Sequence, residues 1–168
     1  MSASAVTVAV RATAGVPPEI AFERTRAIDP ATVFTGRGVL PAVVATTEGP
    51  GRWSRTGATR ELTFSDGGTA REELTTYQAG SRYAYDVAQF TNVVRLLLSG
   101  MRCEWRFTED TSGATVVEWE VALHPLPYRH GIVRRFFAPA WRRYMDDILG
   151  RTIARIDSTS DGNEHVPD

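Results

Sequence analysis

The sequence predicts an α+β fold in which a curved antiparallel sheet of about seven strands wraps around one long C-terminal helix, with two short helices after the first strand. Three observations predict it. From Met101 to Leu123, apolar and polar side chains alternate with the two-residue period of a strand through two successive runs. Between Phe64 and Thr69, Ser65-Asp66-Gly67-Gly68 carries the Asp-Gly signal of a hairpin. From His130 to Ile156 the apolar period lengthens to that of a helix.

Taken in order, residues 1–17 are small and polar, contain Gly15 and Pro17, and read as a flexible N-terminal tail. Glu19 to Ile28 alternates Ile20, Phe22, Arg24 and Arg26 and is expected as the first strand. Asp29 is a good helix cap and Pro30 a good first helical residue, so short helix begins there and ends near Gly36 or Gly38. Ala42 to Thr47 follows Pro41, is rich in β-branched side chains, and is stopped by Gly49-Pro50-Gly51. Ala58 to Phe64 and Thr69 to Tyr77 form the hairpin arms. Arg82 to Phe90 follows Ala79-Gly80, and Thr91 to Gly100 has no clear period.

In the next strand Met101, Cys103, Trp105 and Phe107 share one face, while Arg102, Glu104 and Arg106 share the other. Across the turn from Asp110 to Gly113, Val117, Trp119, Val121 and Leu123 repeat the oily face opposite Glu118 and Glu120. Phe137, Trp141, Tyr144, Ile148, Thr152 and Ile156 then make one helical stripe, with Asp147 and Arg151 paired on another face. Pro139 is expected to break or kink this helix. Residues 157–168 lack an apolar period and read as a flexible C-terminal tail.

At 168 residues with a formal charge of −1, the chain suits one core and carries no basic block that would neutralise phosphates. Nucleic acid is not expected as a partner. Its longest nearly uncharged stretch, Gly38 to Thr47, is far shorter than the roughly 20 apolar residues of a bilayer span. No charged segment followed by an apolar one opens the sequence. A cytoplasmic protein without stable membrane insertion is therefore expected, as monomer or homodimer.

Absent residue types exclude whole chemistries. Every basic side chain is arginine, which removes Schiff-base catalysis and the phosphate-binding lysine of a Walker loop. Cys103 is the single cysteine, which rules out disulfides within the chain, CxxC redox chemistry and thiolate zinc sites. Three histidines, His124, His130 and His165, do not suggest a metal site because His165 lies in the polar tail. No cofactor and no metal are expected.

Several stretches together resemble the START-like (SRPBCC) superfamily and, within it, the polyketide cyclase/dehydrase and lipid-transport group. These are Asp29-Pro30, the run from Gly57 to Gly68, Tyr83-Ala84-Tyr85, Glu104-Trp105-Arg106-Phe107, Gly113 to Trp119, and the terminal helix. The resemblance spans about Pro18 to Ile156 and implies a helix-grip fold with an internal pocket, in one ligand-binding domain over 18–156. Family members include carriers, sensors and enzymes, so the fold leaves the activity open.

Strand and helix phase then nominate a pocket lining of Tyr85, Met101, Cys103, Trp105, Trp119 and Val121, continued by Phe137, Trp141 and Met145. Taken singly, each is also what a solid core contains. An enzyme of this group would be a polyketide cyclase or dehydratase of secondary metabolism that folds a reactive chain and moves protons during aldol closure. Arg60 and Glu72 are the first candidates for that role, with Tyr83 and His124 beside them. With a turn of about five residues, Arg60 and Glu72 fall in phase with inward Leu62, Phe64 and Leu74. A turn one residue different puts one of them on the wet face. The alternative is a non-catalytic carrier or sensor of a lipid or other hydrophobic small molecule. Gly36-Arg37-Gly38-Val39-Leu40-Pro41 reads as a flexible lid near the pocket mouth. No Gly-x-Ser-x-Gly elbow and no Ser-His-Asp set is visible.

Overall fold

A computed structural model describes residues 4–49 and 52–158. Residues 1–3 of the expected N-terminal tail, Pro50 and Gly51 of the strand stop, and 159–168 of the C-terminal tail, His165 included, lie outside the described residues. Seven strands form one antiparallel sheet: β1 (Val6–Ala14), β2 (Val43–Glu48), β3 (Thr59–Phe64), β4 (Thr69–Gln78), β5 (Arg82–Ala88), β6 (Leu98–Glu109) and β7 (Thr115–Pro125). Their spatial order is β1-β7-β6-β5-β4-β3-β2, so each neighbour pair except β1–β7 is also consecutive in sequence.

The first strand corrects the reading of 1–17 as a flexible tail. Val6, Val8 and Val10 alternate with Thr7 and Ala9, and Val6↔Leu123 through Ala14↔Thr115 pair with β7 along the strand's whole length. As an edge strand of small residues it buries little volume, and so carries a weak sequence signal.

Glu19 to Ile28, expected as a strand, lies mostly in helix α1 (Pro18–Ala27), with Pro18 in its first turn. Its buried residues, Ala21, Phe22 and Thr25, fit a helical face, whereas Ile20, the start of the apparent alternation, is 41% exposed. The short helix at Asp29-Pro30 is a single 3-10 turn, Pro30–Thr32, whose cap Asp29 accepts a hydrogen bond from Ala31 N. It stops short of Gly36 and Gly38, both of which take positive φ and shape the loop that follows.

The β3–β4 turn closes with Phe64 N donating to Gly68 O at 2.8 Å, and Gly67 takes the left-handed conformation at φ +83°. Strand β6 begins earlier than expected, at Leu98, because Gly100 permits a close approach: a Cβ there would lie 2.9 Å from Val87 O. The C-terminal helix starts as α2 (His130–Ile132), passes through a π-helical turn over Val133–Phe137 and continues as α3 (Ala138–Ser158). Pro139 therefore interrupts regular geometry without ending the helix. The widened turn lies just before it, where a proline's ring and missing N–H disrupt the ordinary four-residue bond.

The core fills the space between the sheet and α3. Tyr144, Met145, Ile148, Leu149, Thr152 and Ile156 are buried on the helix. On the sheet, Trp105 and Trp119 stack at 4.7 Å, and Phe22 of α1 sets its ring edge-on to Tyr77, Tyr83 and Phe107.

Candidate functional site

An apolar cavity lies between the sheet and the start of α3. Phe34, Leu40, Pro41 and Val43 form one wall, and Leu62, Phe64, Tyr85, Val87, Met101 and Trp119 line the sheet side. Phe90 and Val94 close one end, with Phe137, Trp141 and Tyr144 on the helical side. The cavity volume is about 60 Å³, within about 600 Å³ of free space that includes open solvent.

Six of the residues nominated from phase meet on this wall: Tyr85, Met101, Cys103, Trp119, Phe137 and Trp141. Val121 and Met145 are fully buried away from it, in the packed layer between sheet and helix. Trp105 and Tyr83 face a neighbouring crevice with Thr25, Val33 and Ile148, which shares only Phe34 and Tyr85 with the main cavity. Strand twist separates these positions even though they share a face. His124 is exposed and off the wall, because β7 turns Val121 and Leu123 inward and the residue between or after them outward.

Phe34, Val43 and Tyr144 were missed as lining. Phe34 comes from a loop with no period, and Val43 from a strand with few buried positions. Tyr144 had a signal, since it belongs to the helical stripe. Its hydroxyl accepts from Gly36 N at 2.9 Å and donates to Pro41 O at 3.1 Å. Together with the Arg37–Asp147 ion pair, this ties the expected flexible lid to α3 at the cavity edge.

Arg60 and Glu72 are directly opposed across β3 and β4, and both side chains are buried. Five residues, Phe64 to Gly68, separate the last paired residues Thr63 and Thr69, which fixes the register that faces both inward. Arg60 Nε donates to Glu72 Oε2, and the guanidinium lies 3.9 Å from the centre of the Trp53 ring. Glu72 lines the cavity while Arg60 lies behind it. Burial, the largest single influence, would lower the arginine's pKa, but the charge and hydrogen bond of Glu72 together with the nearby Tyr85 and Tyr83 outweigh it and hold the value above the ordinary one. Arg60 therefore stays charged, and Glu72 Oε1 has no hydrogen-bond partner among the described residues.

The other titratable groups on the wall are held neutral. Burial pushes the Tyr85 hydroxyl and the Cys103 thiol up from their ordinary values, and the nearby Glu72 charge adds to both shifts. Trp105 Nε1 donates to Tyr85 Oη at 3.5 Å. Two further donors stand alone: Nε1 of Trp119 and Nε1 of Trp141 are buried without a partner among the described residues, and both tryptophans belong to the cavity wall. A buried donor left unpaired costs roughly 1–3 kcal/mol. Among the described residues, no cluster of His, Cys, Asp or Glu is arranged to hold a metal ion.

Residues 5–160 match the family described as polyketide cyclase/dehydrase and lipid transport. No curated protein matches the sequence. Among solved structures, the fold is similar to major latex-like protein 151 of Panax ginseng, with a TM-score of 0.66 and 10% identity over 90% of this chain and 97% of that one. A Nitrosospira multiformis protein matches with a TM-score of 0.64 and 17% identity, over 92% of this chain and 99% of that chain. The structure of Ara h 8.0201 matches with a TM-score of 0.61 and 15% identity over 89% and 99% respectively. Identities this low show a shared fold alone.

Proposed function

The chain belongs to the polyketide cyclase/dehydrase and lipid-transport family, and from that premise we propose that it encloses an oxygenated apolar small molecule beneath its C-terminal helix. One observation carries the reading: Trp119 and Trp141, both on the wall of a mostly apolar cavity, carry buried indole N–H donors without a partner among the described residues. Apolar surface supplies the affinity, and donors without a partner among the described residues select a carbonyl or similar acceptor on the ligand. An occupant larger than the 60 Å³ interior needs the outer wall to yield. Phe137 ends the π-helical turn and Trp141 follows it, both half-buried, which makes that side the natural one to open.

A carrier or sensor role stands first, because the wall offers no free base or nucleophile at neutral pH. Glu72 is held by Arg60, and burial keeps the Tyr85 hydroxyl and Cys103 thiol protonated. The second reading is catalytic and rests on Glu72 Oε1, which is unpartnered among the described residues. In a cyclase or dehydratase of secondary metabolism, that oxygen would take a proton from carbon beside a bound carbonyl while the donors hold the developing oxyanion.

Titration with an aminonaphthyl ketone fluorophore tests the binding reading. Trp119→Phe and Trp141→Phe should each weaken its binding about fivefold, the worth of one hydrogen bond, and shift its emission. Unchanged affinity and emission in both variants would remove the indoles from ligand recognition. For the catalytic reading, Glu72→Gln should abolish cyclisation of a poly-β-keto thioester yet keep the ketone bound.

A further inference from the structure

The segments that wall the cavity also expose large apolar side chains. Val39, Val93, Leu96, Tyr128, Ile132 and Phe136 are 49% to 99% exposed. Their grouping follows from the wall itself. Leu40, Val94 and Phe137 line the cavity, and the residue before each, Val39, Val93 and Phe136, points out beside the mouth. The segment with Tyr128 is held to the same rim by Leu126 N donating to Leu97 O at 2.9 Å and Arg129 Nε donating to Leu96 O at 3.2 Å.

Charge on this end is one-sided. The segments 36–41, 91–97 and 126–137 hold Arg37, Arg95, Arg129, Arg134 and Arg135, all exposed, and contain no Asp or Glu. Two acids adjoin them: Asp147, paired with Arg37, and Asp66, bonded to Gly68 N and Asn92 Nδ2. The whole chain carries −1, so a net positive charge is a local property of these segments and not of the protein at large. Tyr128 adds a third sign. It is 99% exposed and sits at φ +64°, a conformation unfavourable for a bulky residue, so the backbone accepts strain where an aromatic ring is presented to the outside.

We propose that this rim is a docking surface for an anionic lipid bilayer, which the protein touches reversibly with its cavity mouth facing the membrane. Apolar tips surrounded by arginine match both parts of such a surface: side chains enter the boundary layer while guanidinium groups meet lipid phosphates. Tyrosine belongs at that depth, with its ring among acyl chains and its hydroxyl at the headgroups. No helix among the described residues is long and apolar enough to cross a membrane, so the contact is peripheral. An oily cargo would then pass between bilayer and cavity without crossing water. The docking surface lies outside the cavity wall, so its test is independent of the ligand.

Co-sedimentation of the full chain with vesicles tests the proposal. Binding is expected to vesicles of phosphatidylcholine mixed with phosphatidylglycerol, not to phosphatidylcholine alone, and to fall as salt is raised. Arg134→Gln with Arg135→Gln should weaken it about fivefold per arginine. Tyr128→Ser with Phe136→Ser should weaken it comparably at unchanged net charge; both sites are exposed, and a thermal melt checks that folding is kept. Wild-type protein left in the supernatant with both vesicle types would overturn the proposal, as would retention of full binding by both double variants. A dimer in solution that the Tyr128 and Phe136 changes dissociate, without vesicle binding, would assign the rim to a second copy instead.

Discussion

Arg60 and Glu72 illustrate how a single residue of turn length decides chemistry. Their approach in sequence is a cross-strand pairing across β3 and β4, and either phase is available until the turn closes. With Phe64 to Gly68 between the paired ends, both side chains go inside, where neither would be stable alone. Each therefore needs the other. Replacing Arg60 by Met should cost about 3–5 kcal/mol in urea unfolding, because it strands a buried carboxylate. The double change Arg60→Met with Glu72→Leu should recover most of that loss. If the single variant is as stable as wild type, the carboxylate is not held inside by Arg60. The exposed His124 teaches the opposite lesson, since its outward direction was already written in the phase of Val121 and Leu123.

At the scale of elements, β6 and β7 were the most legible because apolar residues recur at every second position from Met101 to Phe107 and from Val117 to Leu123. Trp105 and Trp119, opposed in register and stacked, anchor this pair to the layer beneath α3. Trp119→Ala and Trp105→Ala should each destabilise the fold by roughly 3–5 kcal/mol in urea unfolding, and a loss below about 1 kcal/mol at both would place the inward face wrongly. Helix α1 and strand β1 were misread for physical reasons. Ile20, Phe22, Arg24 and Arg26 alternate in α1 only because Ile20 is half out in solvent, and β1 is an edge strand whose small side chains fill little of the core. The π-helical turn before Pro139 was also out of reach, since a proline marks a disruption without stating whether the helix stops or widens.

For the whole molecule, the buried phenols and thiol link stability to pH. Tyr83, Tyr85 and Cys103 hold their protons more tightly when folded, burial being the first cause for each. Their ordinary values are 10.0 for the tyrosines and 9.0 for the cysteine. Below these values both states are protonated and the contribution to stability is whole. Above them the unfolded chain loses protons that the folded one keeps, so stability declines with rising pH. The urea midpoint should be nearly flat from neutral pH to about 9 and then fall, with Tyr83→Phe making the fall shallower. A midpoint unchanged to about pH 11 would show that these groups are not buried as described. The sequence by itself determined six of the seven strands, the long helix, the oily face shared by β6 and β7, and the absence of lysine and disulfide chemistry. These depend on composition and on periods that each segment carries alone. Only the tertiary structure decided which of those inward residues touch open space, that two indole donors have no partner among the described residues, and that distant loops bring apolar tips and arginines to the segments that wall the cavity. Strand register, sheet twist and loop path set those facts, and each is a relation between segments rather than a property of any one of them.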